Sequence, residues 1–254
     1  MKLFRVILHM LRGLWTLKRL SQRNDNRLTA RKVQLWHRKA MHLFGLERIL
    51  VGDVPKGPCL IVSNHLSWVD ILMIGSLMNV RFLSKAEVAS WPIVGKLARG
   101  AGTLFVHRGD RRSAELALED IEAALKQGDQ VVVFPEGTST RGPMPIKFRS
   151  RLIEAARRAG VPVVPMALSY HGPGKALASY AGDDDFVSHM TRLSQAPFIR
   201  GRVAVGSAIE PTEPAAVIAR DAQASVESML ELVVCEERDT EHASSTVDLA
   251  TTTH

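Results

Sequence analysis

Two cysteines in 254 residues, Cys59 inside an apolar run and Cys235 far downstream, provide neither a disulfide framework nor metal-ligand spacing. Their scarcity excludes a disulfide-stapled scaffold and fits a reducing compartment. Only 6% of residues are aromatic and no base-reading motif is present. A nucleic-acid-binding protein, the first thought for a pI near 9.7, therefore ranks last among the classes considered. Charge-free runs stay short of the ~20 apolar residues that an ordinary membrane-spanning helix needs, so none is expected. The first apolar stretch is broken by Arg5, His9 and Arg12 and has no small-residue cleavage site, which argues against a signal peptide. The G-x-S-x-G elbow of serine hydrolases is missing, and no internal repeat is visible.

What charge there is lies unevenly. The formal net charge of +7 calls for an anionic partner, nucleic acid or a membrane surface. Residues 1–39 hold eleven lysines and arginines against one acid, Asp25, and the rest of the chain is net acidic. The basicity thus belongs to one arm. Within it Leu3, Phe4, Ile7, Leu8, Leu11, Leu14 and Trp15 recur at helical spacing. Lys2, Arg5, His9, Arg12, Thr16 and Arg19 follow the opposite face, which predicts a basic amphipathic helix. Such a helix either covers a core with one side solvated or lies in a membrane interface; the arginines and Trp15 favour the interface. A second basic helix is expected over 28–44, and the two would form a membrane-docking hairpin within residues 1–45.

With 46% hydrophobic residues the chain can bury a sizeable core. From Ile49 short apolar runs alternate with helical patterns. Strands are expected at 59–62, 81–83, 103–106, 130–134, 161–168 and 202–205, and helices at 68–77, 92–99, 111–126, 150–159 and 214–234. This alternation predicts an α/β fold, a mostly parallel sheet flanked by helices, in one domain over 46–235. Residues 171–199, with His171-Gly172-Pro173-Gly174 and Asp183-Asp184-Asp185, read as an irregular insertion. The acidic triplet has no second ligand cluster beside it, so it reads as a solvated turn or a helix cap and not as a metal site. Residues 236–254 turn acidic, then rich in serine and threonine, and are expected to be disordered.

The segment Ser63-Asn64-His65-Leu66-Ser67-Trp68-Val69-Asp70 joins a strand pattern to a helix pattern. Two readings compete for it. Ser67 and Asp70 fit an S-x-x-D capping box, which would only satisfy free amides at a helix start. Alternatively His65 is a general base and Asp70, five positions on, its orienting carboxylate. Capping leaves Asn64 and His65 unexplained.

Three further segments bear on that choice: Gly102-Thr103-Leu104-Phe105-Val106-His107-Arg108, Val133-Phe134-Pro135-Glu136-Gly137-Thr138-Ser139-Thr140-Arg141, and Val161-Pro162-Val163-Val164-Pro165. Each alone is an ordinary strand end or edge strand. In this order and spacing, over residues 50–168, they resemble the glycerolipid acyltransferases typified by bacterial 1-acylglycerol-3-phosphate acyltransferase. The resemblance implies a catalytic N-H-x-x-x-x-D block, here Asn64 to Asp70. It also implies acceptor-binding roles for Arg108 and for Glu136, Gly137 and Thr138, and a place near the acceptor phosphate for Lys85. It implies no cofactor and no metal: acyl-CoA or acyl carrier protein is the donor substrate, a lysolipid the acceptor, and the cytoplasmic face of an anionic membrane the setting. Residues 91–102 would help to shape the acyl site.

The chemistry agrees. An alcohol is a poor nucleophile at neutral pH, so acyl transfer to it needs a base during attack on a thioester. His65 would take the proton, and Asp70 would hold the imidazole tautomer and stabilise the imidazolium. The substrate hydroxyl is the nucleophile, hence no catalytic serine is required. Amides near Gly137 and Thr138 would face the oxyanion. Glu136 either binds acceptor hydroxyls or pairs with a cation. Ser139 and Thr140 stand where the family commonly has arginine directly after the threonine. That departure takes one phosphate contact away, yet lysophosphatidate stays the first acceptor considered, with lyso-ornithine lipid or another lysolipid close behind. A non-catalytic membrane-surface protein is the different-class alternative, and the presence of both His65 and Asp70 speaks against it.

Overall fold

The computed structural model describes the chain apart from residues 1, 23–25, 108, 110, 142–143, 183 and 251–254, and apart from the side chains of residues 26, 111 and 233–250. Two helices, α1 (Lys2–Ser21) and α2 (Asn26–Phe44), precede the sheet. Then follow β1 (Leu46–Val51), β2 (Cys59–Ser63), α3 (Val69–Leu77), β3 (Arg81–Lys85), α4 (Ala86–Ala89), α5 (Val94–Gly100) and β4 (Leu104–Val106). The second half comprises α6 (Arg111–Lys126), β5 (Gln130–Val133), α7 (Glu154–Ala159), β6 (Val163–His171), α8 (Lys175–Ala178), α9 (Phe186–Gln195), β7 (Ile199–Val205) and α10 (Ala215–Ala250).

The seven strands form one sheet in the order β1-β7-β6-β2-β5-β3-β4. Only β6 and β7 pair antiparallel, so the expected α/β fold with a mostly parallel sheet is what the chain adopts. The wholly buried β2 lies at its middle, with Ile61 opposite Val132 of β5 and Val164 of β6. Alternate side chains of β2 enter opposite layers. Cys59 and Ile61 join Met73 and Ile74 of α3 and Phe44 of α2. Leu60 and Val62 join Ile121 of α6 and Val226 of α10. Burying each such aliphatic side chain stabilises the fold by about 1.5–3 kcal/mol. A strand covered on both faces has to read as an unbroken apolar run, which is why β2 was legible.

Several expectations need correction. β1 escapes the sequence reading because Glu47 and Arg48 interrupt it; it is an edge strand whose Ile49, Leu50 and Val51 are exposed. Residues 171–199 are not irregular: they hold the ends of β6 and β7 and helices α8 and α9. Asp185 caps α9, its carboxylate accepting from the Ser188 amide at 2.8 Å. The backbone of α10 runs to Ala250. No glycine or proline follows Pro214 to stop that helix, and residues 251–254 lie outside the described residues.

The face that α1 buries also differs from the simple amphipathic reading. Val6, His9, Gly13 and Leu20 pack inward. His9, expected on the solvated face, is stacked on Trp36 of α2, and its Nε2 lies 3.0 Å from the Trp36 carbonyl. Burial pushes its pKa below the ordinary histidine value. A Cβ at Gly13 would stand 2.6 Å from Trp36 Nε1, so the α1–α2 approach requires glycine there. What α1 leaves outside is apolar: Phe4, Ile7, Leu11 and Trp15 form an exposed stripe, Phe4 at 70% and Trp15 at 57% of full exposure.

Candidate active site

The carboxyl ends of the parallel strands collect the chemistry, as open α/β sheets do. His65 follows β2, Lys85 closes β3, and the Phe134–Thr138 turn follows β5. β4 ends at Val106, and Arg108 lies outside the described residues. Lys85 is exposed.

Asn64 is the first residue beyond β2, and its role is structural. Its Nδ2 donates to the Leu168 carbonyl at 2.9 Å, while its Oδ1 accepts from the Leu168 amide at 2.8 Å. This two-point clamp on β6 fixes where the chain leaves the sheet. His65 comes next, its ring stacked on Phe134 with centroids 4.0 Å apart. Its Nδ1 lies 2.7 Å from Asp70 Oδ2, and that carboxylate has no exposed surface. Both readings of the loop prove to be parts of one device. Asp70 Oδ2 also accepts from the amides of Leu66 at 2.8 Å and Ser67 at 3.0 Å, and the Ser67 hydroxyl accepts from the Val69 amide at 3.3 Å. The carboxylate that caps the start of α3 is the one that faces the imidazole.

The two proposed roles of Glu136 are both corrected. It is wholly buried; Oε1 accepts from the His65 amide at 2.7 Å and Oε2 from the Ile146 amide at 3.0 Å. Glu136 therefore pins the backbone of His65 and of the loop before α7; it is closed to an acceptor, and among the described residues no cation pairs with it. Burial pushes its pKa up, against the lowering effect of these two amides. Gly137 has φ of 75°, and its amide donates to the Phe134 carbonyl at 3.0 Å. That amide is spent within the turn, which leaves Thr138 as the backbone donor of this pair still open among the described residues. The Thr138 side chain is exposed.

The extra residues after Thr138 have a function in the fold. The Thr140 amide donates to the His65 carbonyl at 2.8 Å, and the Tyr180 amide to the Leu66 carbonyl at 2.9 Å. Arg141 is directed into the 171–199 segment, where it donates to the Ala181 carbonyl at 3.1 Å and to Asp184 at 2.5 Å.

Three contacts had no signal in the sequence. The Tyr170 hydroxyl of β6 donates to Asp70 Oδ1. A Cβ built on Gly137 would lie 3.4 Å from Arg149 Nη1, so that guanidinium stands over the turn. The Trp68 indole donates to His189 Nδ1 at 3.0 Å, and His189 Nε2, which must then carry the proton, donates to the Ser179 carbonyl at 2.9 Å. Trp68 also lines a cavity of about 470 Å³ whose walls include Met10, Val33, Phe82 and Leu97. Arg12, Lys32 and Lys39 contribute the cationic part of its lining.

The His65–Asp70 pair thus stands on the loop after a central parallel strand, and Trp68 of the same loop lines the apolar cavity. Residues 45–169 match the family model described as Acyltransferase. Among curated proteins, the chain is similar to the lyso-ornithine lipid O-acyltransferase of Pseudomonas aeruginosa, 42% identical over 168 residues, which cover 65% of each chain. The enzyme of the same name from Rhizobium meliloti is 35% identical over 191 residues, 69% of this chain and 65% of that one. The 1-acyl-sn-glycerol-3-phosphate acyltransferase of Neisseria gonorrhoeae is 35% identical over 125 residues, 48% of this chain and 49% of the other. The chain thus spans just under two thirds of the first two relatives and about half of the third. The crystal structure of the 1-acyl-sn-glycerophosphate (LPA) acyltransferase PlsC from Thermotoga maritima has the same fold. Its TM-score is 0.66 at 20% identity, over 92% of this chain and 98% of that one.

Proposed function

We propose that the protein is a membrane-surface enzyme that moves a fatty acyl group from a thioester, acyl-CoA or acyl carrier protein, to the free hydroxyl of a lysolipid. The observation that carries this reading is the His65–Asp70 pair, 2.7 Å apart with the carboxylate fully buried. Asp70 holds the proton on Nδ1, which leaves Nε2 free to take the hydroxyl proton as the alkoxide attacks the thioester carbonyl. The tetrahedral intermediate then collapses, the C–S bond breaks, and His65 returns the proton to the departing thiolate. An ester and a thiol result. No covalent acyl-enzyme and no cofactor enter, since the two substrates and the imidazole supply every group the reaction uses. The apolar cavity takes an acyl chain, and the Thr138 amide is the candidate donor to the oxyanion.

Of the acceptors considered from the sequence, lyso-ornithine lipid is favoured. Arg141, the cation following the Glu136–Thr138 turn, is engaged by Asp184 and Ala181 and so is withdrawn from a phosphate. Two relatives bearing that name support the choice. Lysophosphatidate is the second reading, supported by exposed Lys85 and by the likeness to the Neisseria gonorrhoeae enzyme. The deciding assay offers the full chain a panel of lysolipids with each donor and identifies products by mass. An acylated ornithine lipid is expected. Product from lysophosphatidate alone would transfer the assignment to the second reading, and no product from any lysolipid with either donor would overturn the proposal.

The same proposal places α1 in the membrane interface. Its exposed Phe4, Ile7, Leu11 and Trp15 are flanked by Arg5, Arg12 and Arg19, with the Arg19 guanidinium 3.6 Å from the centre of the Trp15 ring. No described helix is long and apolar enough to cross a membrane. A thioester donor drawn from the cytoplasm would suit a surface on the cytoplasmic face. Replacing both Phe4 and Trp15 by glutamate removes two large apolar side chains from the interface, each worth about 1.5–3 kcal/mol. Vesicle co-sedimentation with anionic lipid should fall by at least about a hundredfold in affinity. Unchanged binding would sink the interfacial role.

A further inference from the structure

Asp70 is held by more than its own loop. Its Oδ2 faces His65 Nδ1 and the amides of Leu66 and Ser67, while Oδ1 is reached from across the sheet by the Tyr170 hydroxyl. In β6 the side chains of Val164, Met166 and Leu168 point into the layer that contains α3, and Tyr170 continues that row by the period-2 rule. An apolar side chain would fill the place as well; what tyrosine adds is one hydroxyl, delivered to a carboxylate without exposed surface. The Asn64–Leu168 clamp lies two residues earlier on the same strand, so β6 holds the catalytic loop at both of its ends.

We propose that Tyr170 is a positioning residue for proton transfer by His65: its hydroxyl locks the Asp70 carboxylate against rotation and, by donating to Oδ1, limits the negative charge presented to the imidazole. The inference rests on the acyl-transfer reading given above. Burial and the adjacent Asp70 raise the phenol pKa well above its ordinary value, so the hydroxyl is a donor throughout the working range. Among the described residues, few groups bear on His65. Asp70 faces it within its own loop, Glu136 accepts its backbone amide from the loop after β5, and Tyr170 acts through Asp70 from β6. Arg141, on the neighbouring loop, is turned to Asp184. Phe134, which stacks on the ring, carries no charge.

The test is Tyr170→Phe in the full chain, which keeps the aromatic packing. With one donor fewer the carboxylate carries more charge and the imidazolium gains stability relative to the wild type. The acidic limb of the kcat/KM profile should therefore move up by about half to one pH unit, the size of one hydrogen bond's effect. We expect kcat to fall about tenfold at neutral pH, with KM for the lysolipid unchanged and melting temperature nearly so. A titration of the His65 ring by NMR should give the same upward shift without any substrate. Wild-type kcat, or a lowered kcat with neither the limb nor the ring pKa displaced, would overturn the positioning role. Should the wild type acylate no lysolipid, the acyl-transfer reading fails by itself, and the ring titration still decides whether Tyr170 acts on His65 through Asp70.

Discussion

On the proposed function, His65→Ala should lower acyl transfer by about a thousandfold or more, within the range removed with a general base, while leaving the fold and vesicle binding in place. The surroundings of the residue say why the fold survives. The main chain at 65 is held independently of the ring, by the Glu136 carboxylate at its amide and the Thr140 amide at its carbonyl. The side chain is 21% exposed and loses chiefly its stack on Phe134. Asp70 keeps three of its four donors, the amides of Leu66 and Ser67 and the Tyr170 hydroxyl, so no orphaned buried charge results. The measurement is product formation by mass alongside a thermal melt and vesicle co-sedimentation. Turnover within tenfold of wild type by a folded variant would remove His65 from the role of base.

Asp70→Asn should cost nearly as much, about a thousandfold, for a different reason. The amide oxygen can take the Oδ2 place and accept from Leu66, Ser67 and His65, with its NH2 directed at the Tyr170 oxygen; the cap on α3 is thus preserved. What is lost is the charge that stabilises the imidazolium as the proton arrives. Groups that act as one unit do not lose activity additively. The double variant His65→Ala with Asp70→Asn should accordingly be no slower than His65→Ala alone. A further hundredfold drop in the double variant would show that Asp70 contributes through something other than His65.

The fold and the centre of the site could be read from the chain because both are written in local patterns. The unbroken run at β2, the period of α3, and the spacing of His65 to Asp70 each involve neighbours within a few residues. The capping reading and the acid–base reading of one loop looked like rivals in the sequence and are satisfied by the same Asp70 oxygen. The role of Glu136 was misread because a buried carboxylate and an exposed one look alike in a sequence; its burial depends on segments around residues 65 and 146 that close over it. His9 was placed outside since its periodicity suits a solvated face, and only the ring of Trp36 draws it in.

By itself the sequence determined the alternation of strands and helices, the loop that pairs His65 with Asp70, and the basic arm. Tertiary structure alone decided the rest. It brought Tyr170 to Asp70 across one hundred residues and Asn64 to Leu168 across 104, and it turned Arg141 toward Asp184 across 43. Helix periods, caps and turns are set by energies between residues a few positions apart, so they leave a trace in local order. A hydrogen bond between distant segments leaves none, because its two ends meet only after the sheet has fixed the register of β6 beside β2.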